Sequence, residues 1–199
     1  CVSLSNVCFQ ALKTSPCLMT HRIEDGLRYP LYQAKVNQYD NDLFEVELLC
    51  IRNKNGPTGW TITILVSQSK GFLTDLTEFH YIKTNEYGFN GSRDNYQLIL
   101  MPEVNLTRTT IRKKLENTAG LQRAINITSE MLQMQHFKPG WWTMFGCDIS
   151  ELYKGLIEKG FDWNEILTKT RGWYSLDINH PIKELSTIDL LRMYKQDYI

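Results

Sequence analysis

A chain of 199 residues with 42% hydrophobic and 12% aromatic side chains can build one domain, or two small ones, and is too apolar for a disordered segment. Its 22 basic and 22 acidic groups cancel, so no global field draws it to nucleic acid or to a membrane surface. No apolar run approaches the ~18 residues that a membrane span requires.

The five cysteines, Cys1, Cys8, Cys17, Cys50 and Cys147, make no CxxC pair and leave an odd one over. That usage fits reduced thiols and a cytoplasmic setting better than a disulfide framework. Sequons at Asn90, Asn105 and Asn126 read as chance matches, because two of them fall in or at the cap of expected helices, where a glycan would obstruct packing. Residues 1–18 have neither the charged start nor the continuous apolar core of a signal peptide. They read as an N-terminal extension, with Met19 the more natural beginning, and residues 19–199 are expected to form one α+β domain.

From Leu31 the pattern has period two. Tyr32, Ala34 and Val36 oppose Gln33 and Lys35, and Phe44, Val46, Leu48 and Cys50 oppose Glu45 and Glu47. Asn55-Gly56 supplies a hairpin signal, since both residues tolerate the positive φ of a tight turn. Trp60, Ile62, Ile64 and Val66 then alternate with Thr61 and Thr63. A fourth strand is expected around Leu76–Lys83, with Phe79 and Tyr81 on one face, and a fifth at Tyr96–Met101. Together these describe an antiparallel five-stranded meander over 31–101, free to curl toward a half-barrel, whose apolar face needs a cover.

Residues 107–197 are expected to supply it as helices. Asn105 or Thr107 can cap the first, Ile111 and Leu115 lie one turn apart, and Gly120 can break it. Leu121, Ala124, Ile125, Thr128 and Leu132 then form an amphipathic stripe closed by Pro139-Gly140. Asp148 with Glu151, Asp162, and Ser186 with Asp189 mark three further helix starts.

Charge is concentrated at the junction of the halves, where residues 104–123 hold five cations, Arg108, Arg112, Lys113, Lys114 and Arg123, against the single acid Glu116. Arg and Lys presented together can grip phosphate or carboxylate; the alternative is an ordinary solvated helix face. The run Thr107-Arg-Thr-Thr-Ile-Arg-Lys-Lys-Leu115 resembles the recognition helix of helix-turn-helix regulators over about nine residues. It departs from that pattern because Tyr96–Val104 before it reads as a strand. Tyr87 and Phe89, in a Gly-rich loop, are candidates for exposed stacking rings. Trp141 and Trp142 are candidates for an interface anchor, in a homodimer for example, or for a plug between sheet and helices.

The four histidines lack metal-ligand spacing, so no metal is expected, and no glycine pattern matches a phosphate loop, so no cofactor is expected either. Glu78 and His80 would share a face if their segment were a strand, and Asp40 and Asp42 could take a hard cation but read first as a turn. The leading expectation is a non-enzymatic intracellular interaction protein, contacting nucleic acid or an acidic partner through 107–123, with no membrane role. Its rivals are a small-molecule or lipid binder, with a cavity between sheet and helices, and an enzyme built around Glu78 and His80.

Overall fold

The computed structural model describes residues 7–16, 28–31, 42–54, 58–92, 95–137, 140, 143, 146–171 and 183–195. The chain divides into two compact units, one of Cys1–Thr77 with Arg108–Lys113, the other of Glu78–Thr107 with Lys114–Ile199. The class is α+β, with an antiparallel four-stranded and an antiparallel three-stranded sheet, and a short parallel pair of Thr170–Arg171 with Lys183–Glu184, rather than one five-stranded meander.

The first unit is built on β1 (Val7–Pro16), β2 (Leu43–Asn53), β3 (Thr61–Ser67) and β4 (Gly71–Phe72), in that spatial order. The alternation read in β2 sorts its two faces. Glu45 and Glu47 sit opposite Ser15 and Lys13 of β1 and Leu65 and Thr63 of β3, on a polar side with a shallow depression of about 80 Å³. Phe44, Val46 and Leu48 pair with Val66, Ile64 and Ile62 on the other side. The hairpin between β2 and β3 is closed by Cys50 N–H to Trp60 O (2.9 Å) and Gly59 N–H to Cys50 O (2.8 Å), with Gly59 at φ +81°. Asn55 and Gly56 themselves lie outside the described residues.

Residues 7–16, read as an extension, supply β1 and run beside β2 for most of its length. With Lys13 as their sole charge they satisfy a strand, but nothing local told them apart from a tail. Of the strand expected at 31–36 only Leu31 is described.

After β4 the chain forms α1 (Thr74–Thr84), where a strand was expected. Phe79 and Tyr81 satisfy period two, yet the buried residues Leu76, Phe79 and Ile82 recur every three positions, which is a helical face. Asp75 in the first turn and Lys83 in the last complement the helix dipole. A window this short carries both periods, and tertiary burial chose.

The second unit contains β5 (Phe89–Ser92), β6 (Asn95–Leu98) and β7 (Met101–Leu106), an antiparallel sheet in which the expected fifth strand is split by a turn at 99–100. A helix α2 (Ile111–Asn117) follows, its residues to Lys113 counted with the first unit and the rest with the second, and it starts later than its expected cap. The chain continues into α3 (Leu121–Phe137), α4 (Ile149–Glu158), α5 (Trp163–Lys169) and α6 (Thr187–Lys195). The expected stripe is the buried face of α3, where Leu121, Ala124, Ile125 and Thr128 are fully covered. Asp148 and Glu151 form a complete capping box on α4, worth about 1 kcal/mol. Asp162 caps α5, and Ser186 and Asp189 exchange bonds at the start of α6. The Trp163 indole N–H donates to Leu100 O at 2.8 Å, tying α5 to the β6–β7 turn.

Candidate functional site

Two of the five cations are withdrawn from the surface. Arg112 is 6% exposed and Arg123 is 6% exposed, which buries two of the five. Arg112 pairs with Asp42 Oδ2 at 3.5 Å and donates to Tyr29 O at 3.4 Å, inside the first unit. Arg123 donates to Asn126 Oδ1 (2.6 Å) and to Leu185 O, and Asn126 Nδ2 donates to Glu78 Oε1 at 3.2 Å, inside the second. A guanidinium is seldom buried without such ties, because the uncompensated charge is very costly. Lys113 is exposed, whereas Arg108 and Lys114 are half-buried, and Lys114 Nζ donates to Asn105 O.

Asp42 explains why Arg112 turned inward. Its carboxylate accepts from Ser67 Oγ (3.0 and 2.9 Å), Ser69 N–H (3.0 Å) and Ser69 Oγ (2.8 Å) as well as facing Arg112. These bonds fasten the start of β2 to the β3–β4 turn, so the turn reading of this aspartate holds. Asp40 lies outside the described residues. Burial alone would push the Asp42 carboxyl up, but the Ser69 and Ser67 hydrogen bonds and Arg112 outweigh it and hold it below its ordinary 3.8. A depressed carboxylate contributes stability that is fully present above pH 3.8 and is lost as pH falls through the folded value. Thermal melts of Asp42→Asn taken from pH 6 downward should therefore start lower than wild type and show a flatter acid limb. Parallel acid limbs in the two proteins would refute the role given to this carboxylate.

The aromatic candidates are committed to packing. Tyr87 is half-buried rather than exposed, with its phenol pushed up to about 12 by burial and by Asp148 and Cys147 nearby. Gly88 beside it is in the left-handed region (φ +75°) and packs against Thr128, which draws the Tyr87 loop into the interior. Phe89 is half-buried, its ring 5.9 Å from Phe79 and 5.3 Å from Tyr96, so it is one wall of an aromatic cluster. Trp141 and Trp142 lie outside the described residues.

Glu78 and His80 are both on α1, where residues two apart diverge by about 200° around the axis and share no face. The pairing expected from a strand therefore fails with the strand itself. Cys8, Cys50 and Cys147 carry free thiols, and burial together with Glu151 pushes the Cys147 thiol up to about 11, an inert value. Among the described residues no three His, Cys, Asp or Glu groups gather to hold a metal, and no helix is long and apolar enough to cross a membrane.

What sequence reading missed is an apolar margin on the four-stranded sheet. Phe9, Leu12 and Ile51 are 40%, 49% and 51% exposed. The β1–β2 register explains two of them. It skips Ile51 between the Cys8↔Arg52 and Phe9↔Cys50 pairs, and skips Leu12 between Ala11 and Lys13. Each is the extra residue of a β-bulge, which re-aims its side chain. Phe9 stands edge-on to Trp60, with ring centroids 5.7 Å apart. The available signal was a stretch, 1–16, with a single charge.

Comparison with known protein families, curated proteins and solved structures finds no match.

Proposed function

We propose that this chain is a non-enzymatic interaction protein that docks another protein on the β1–β2 margin. The observation that carries this reading is the exposure of Phe9, Leu12 and Ile51, large apolar side chains on two adjacent strands left 40–51% in water. Scattered exposed apolar residues are ordinary, but a group of them on neighbouring strands marks a surface meant to be covered. The non-enzymatic half of the proposal is supported by where the reactive groups are spent. Asp42 is bonded to Ser67, Ser69 and Arg112, Glu78 to Asn126, and the Cys147 thiol is raised.

Hydroxyl-radical footprinting tests the proposal. Phe9, Leu12 and Ile51 should oxidise readily in the purified protein and be protected several-fold in a native extract of the source cells. Equal oxidation in the two samples refutes it.

Nucleic acid is the weaker partner for the 107–123 segment, because Arg108, Lys113 and Lys114 are what remains toward the surface. Three phosphate contacts give a log–log salt slope no steeper than about −2.7 on duplex DNA. Fluorescence anisotropy with a short duplex should show that shallow slope, reduced further in Arg108→Glu/Lys113→Glu. A slope steeper than about −5 would restore a nucleic-acid role.

A further inference from the structure

Resting on the interaction reading above, we infer that the β1–β2 margin takes an acidic amphipathic segment of its partner, held by side chains rather than by strand addition.

Charge is the first ground. Residues 1–16 carry one charged group, Lys13, and residues 48–60 carry two, Arg52 and Lys54, with no acid in either stretch. The ladder brings residues 7–16 beside 44–53, with Cys8 opposite Arg52 and Val7 opposite Asn53. Arg52 and Lys54 are exposed beside Ile51 with no acid in their stretch, whereas Lys13, also exposed, stands across from Glu47 on the polar side. The nearest acids of the sheet, Glu45 and Glu47, belong to its polar side and are half-buried. Glu45 is paired with Arg28 at 3.1 Å, and Glu47 sits across from Lys13. A partner offering Leu or Phe with interspersed Asp or Glu is complementary in both respects.

The bulges are the second ground. Among the described residues β1 is an edge strand; an added strand would need an unbroken row of donors and acceptors along it, and the extra residue Leu12 interrupts β1 in its middle. The same bulges lift Leu12 and Ile51 outward, which favours recognition through side chains. A second copy of this chain is disfavoured, since a two-fold contact would set Arg52 and Lys54 against their own images. A lipid surface is disfavoured as well, because polybasic attachment rests on clusters of four to eight cations and this margin has two, Arg52 and Lys54.

The experiment uses two synthetic ten-residue peptides, one alternating Glu with Leu and one alternating Lys with Leu, together with vesicles rich in phosphatidylserine. Backbone amide NMR on the full chain reads the site, and titration reads the affinity. The Glu/Leu peptide is expected to shift amides within 8–13 and 50–54 and the Lys/Leu peptide to leave them unmoved. Leu12→Ser/Ile51→Ser should weaken the Glu/Leu peptide about tenfold, the loss of one well-covered contact. Arg52→Glu/Lys54→Glu should transfer the preference to the Lys/Leu peptide, a gain that unfolding cannot imitate. Equal binding of both peptides, no transfer in the charge-reversed variant, or protection by vesicles in place of peptide each overturns the inference. Should the Glu/Leu peptide shift amides only around Lys113, this inference fails while footprinting still decides the interaction reading. Absence of protection in extract defeats both.

Discussion

Arg112→Ala is expected to destabilise the first unit by about 3 kcal/mol, the lower end for removing one partner of a buried ion pair. The guanidinium is 6% exposed and tied to Asp42 and the Tyr29 carbonyl, so truncation strips a donor from each and opens a void. Asp42 keeps its bonds from Ser67 and Ser69 and some water, which is why the larger values for fully buried pairs do not apply. In a chain of this size the loss corresponds to roughly 6–12 °C in melting temperature. Arg112→Lys should recover part of it, because an ammonium keeps the charge but cannot span both acceptors. Lys113→Ala, next along the helix and exposed, should stay within about 0.5 kcal/mol of wild type. If Arg112→Ala and Lys113→Ala melt alike, Arg112 is an ordinary surface cation and the phosphate-contact reading of this helix regains its strongest residue.

Gly88→Ala should cost the second unit about 3 kcal/mol from two independent sources. At φ +75° any Cβ is strained, and here it would overlap Thr128 Cγ2 and press on Ile149 Cδ1 at 3.4 Å. Thr128 cannot swing aside without loss, since it is fully buried and its hydroxyl donates to Ala124 O at 2.7 Å. Gly59→Ala isolates the strain alone: φ is +81° with nothing within 4 Å of the added carbon, and about 1 kcal/mol is expected. Adding Thr128→Ser to Gly88→Ala removes the colliding methyl and should return the difference between the two. Chemical denaturation of the four proteins checks this, and a Gly88→Ala cost no larger than that of Gly59→Ala would mean the Tyr87 loop is not wedged as described.

These two residues also show what could be read from the chain and what could not. Gly88 was visible as a turn former, and the caps Asp148, Asp162 and Ser186 were visible as helix starts, because a cap is settled within four residues. The α3 stripe was legible for the same reason, being long enough to display one period only. Arg112 was not legible. Its neighbours Arg108, Lys113 and Lys114 announce a surface, and the carboxylate that draws it inward stands seventy positions earlier in sequence. The α1 segment failed through brevity, since Phe79 and Tyr81 fit a strand while Leu76, Phe79 and Ile82 fit a helix. In β1 the bulge at Leu12 erases the regular alternation by which a strand is recognised. The margin with Phe9 and Ile51 was hidden with it.

Leu12 has a consequence for colloidal behaviour as well. A rim ten residues long and nearly uncharged is the kind of template on which filaments grow, one molecule handing its open row of amides to the next. One surplus residue at its middle puts that row out of step, so a neighbouring molecule finds half the rim aligned and half not. The protein can thus keep greasy side chains in water while denying its own copies a place to crystallise into fibre.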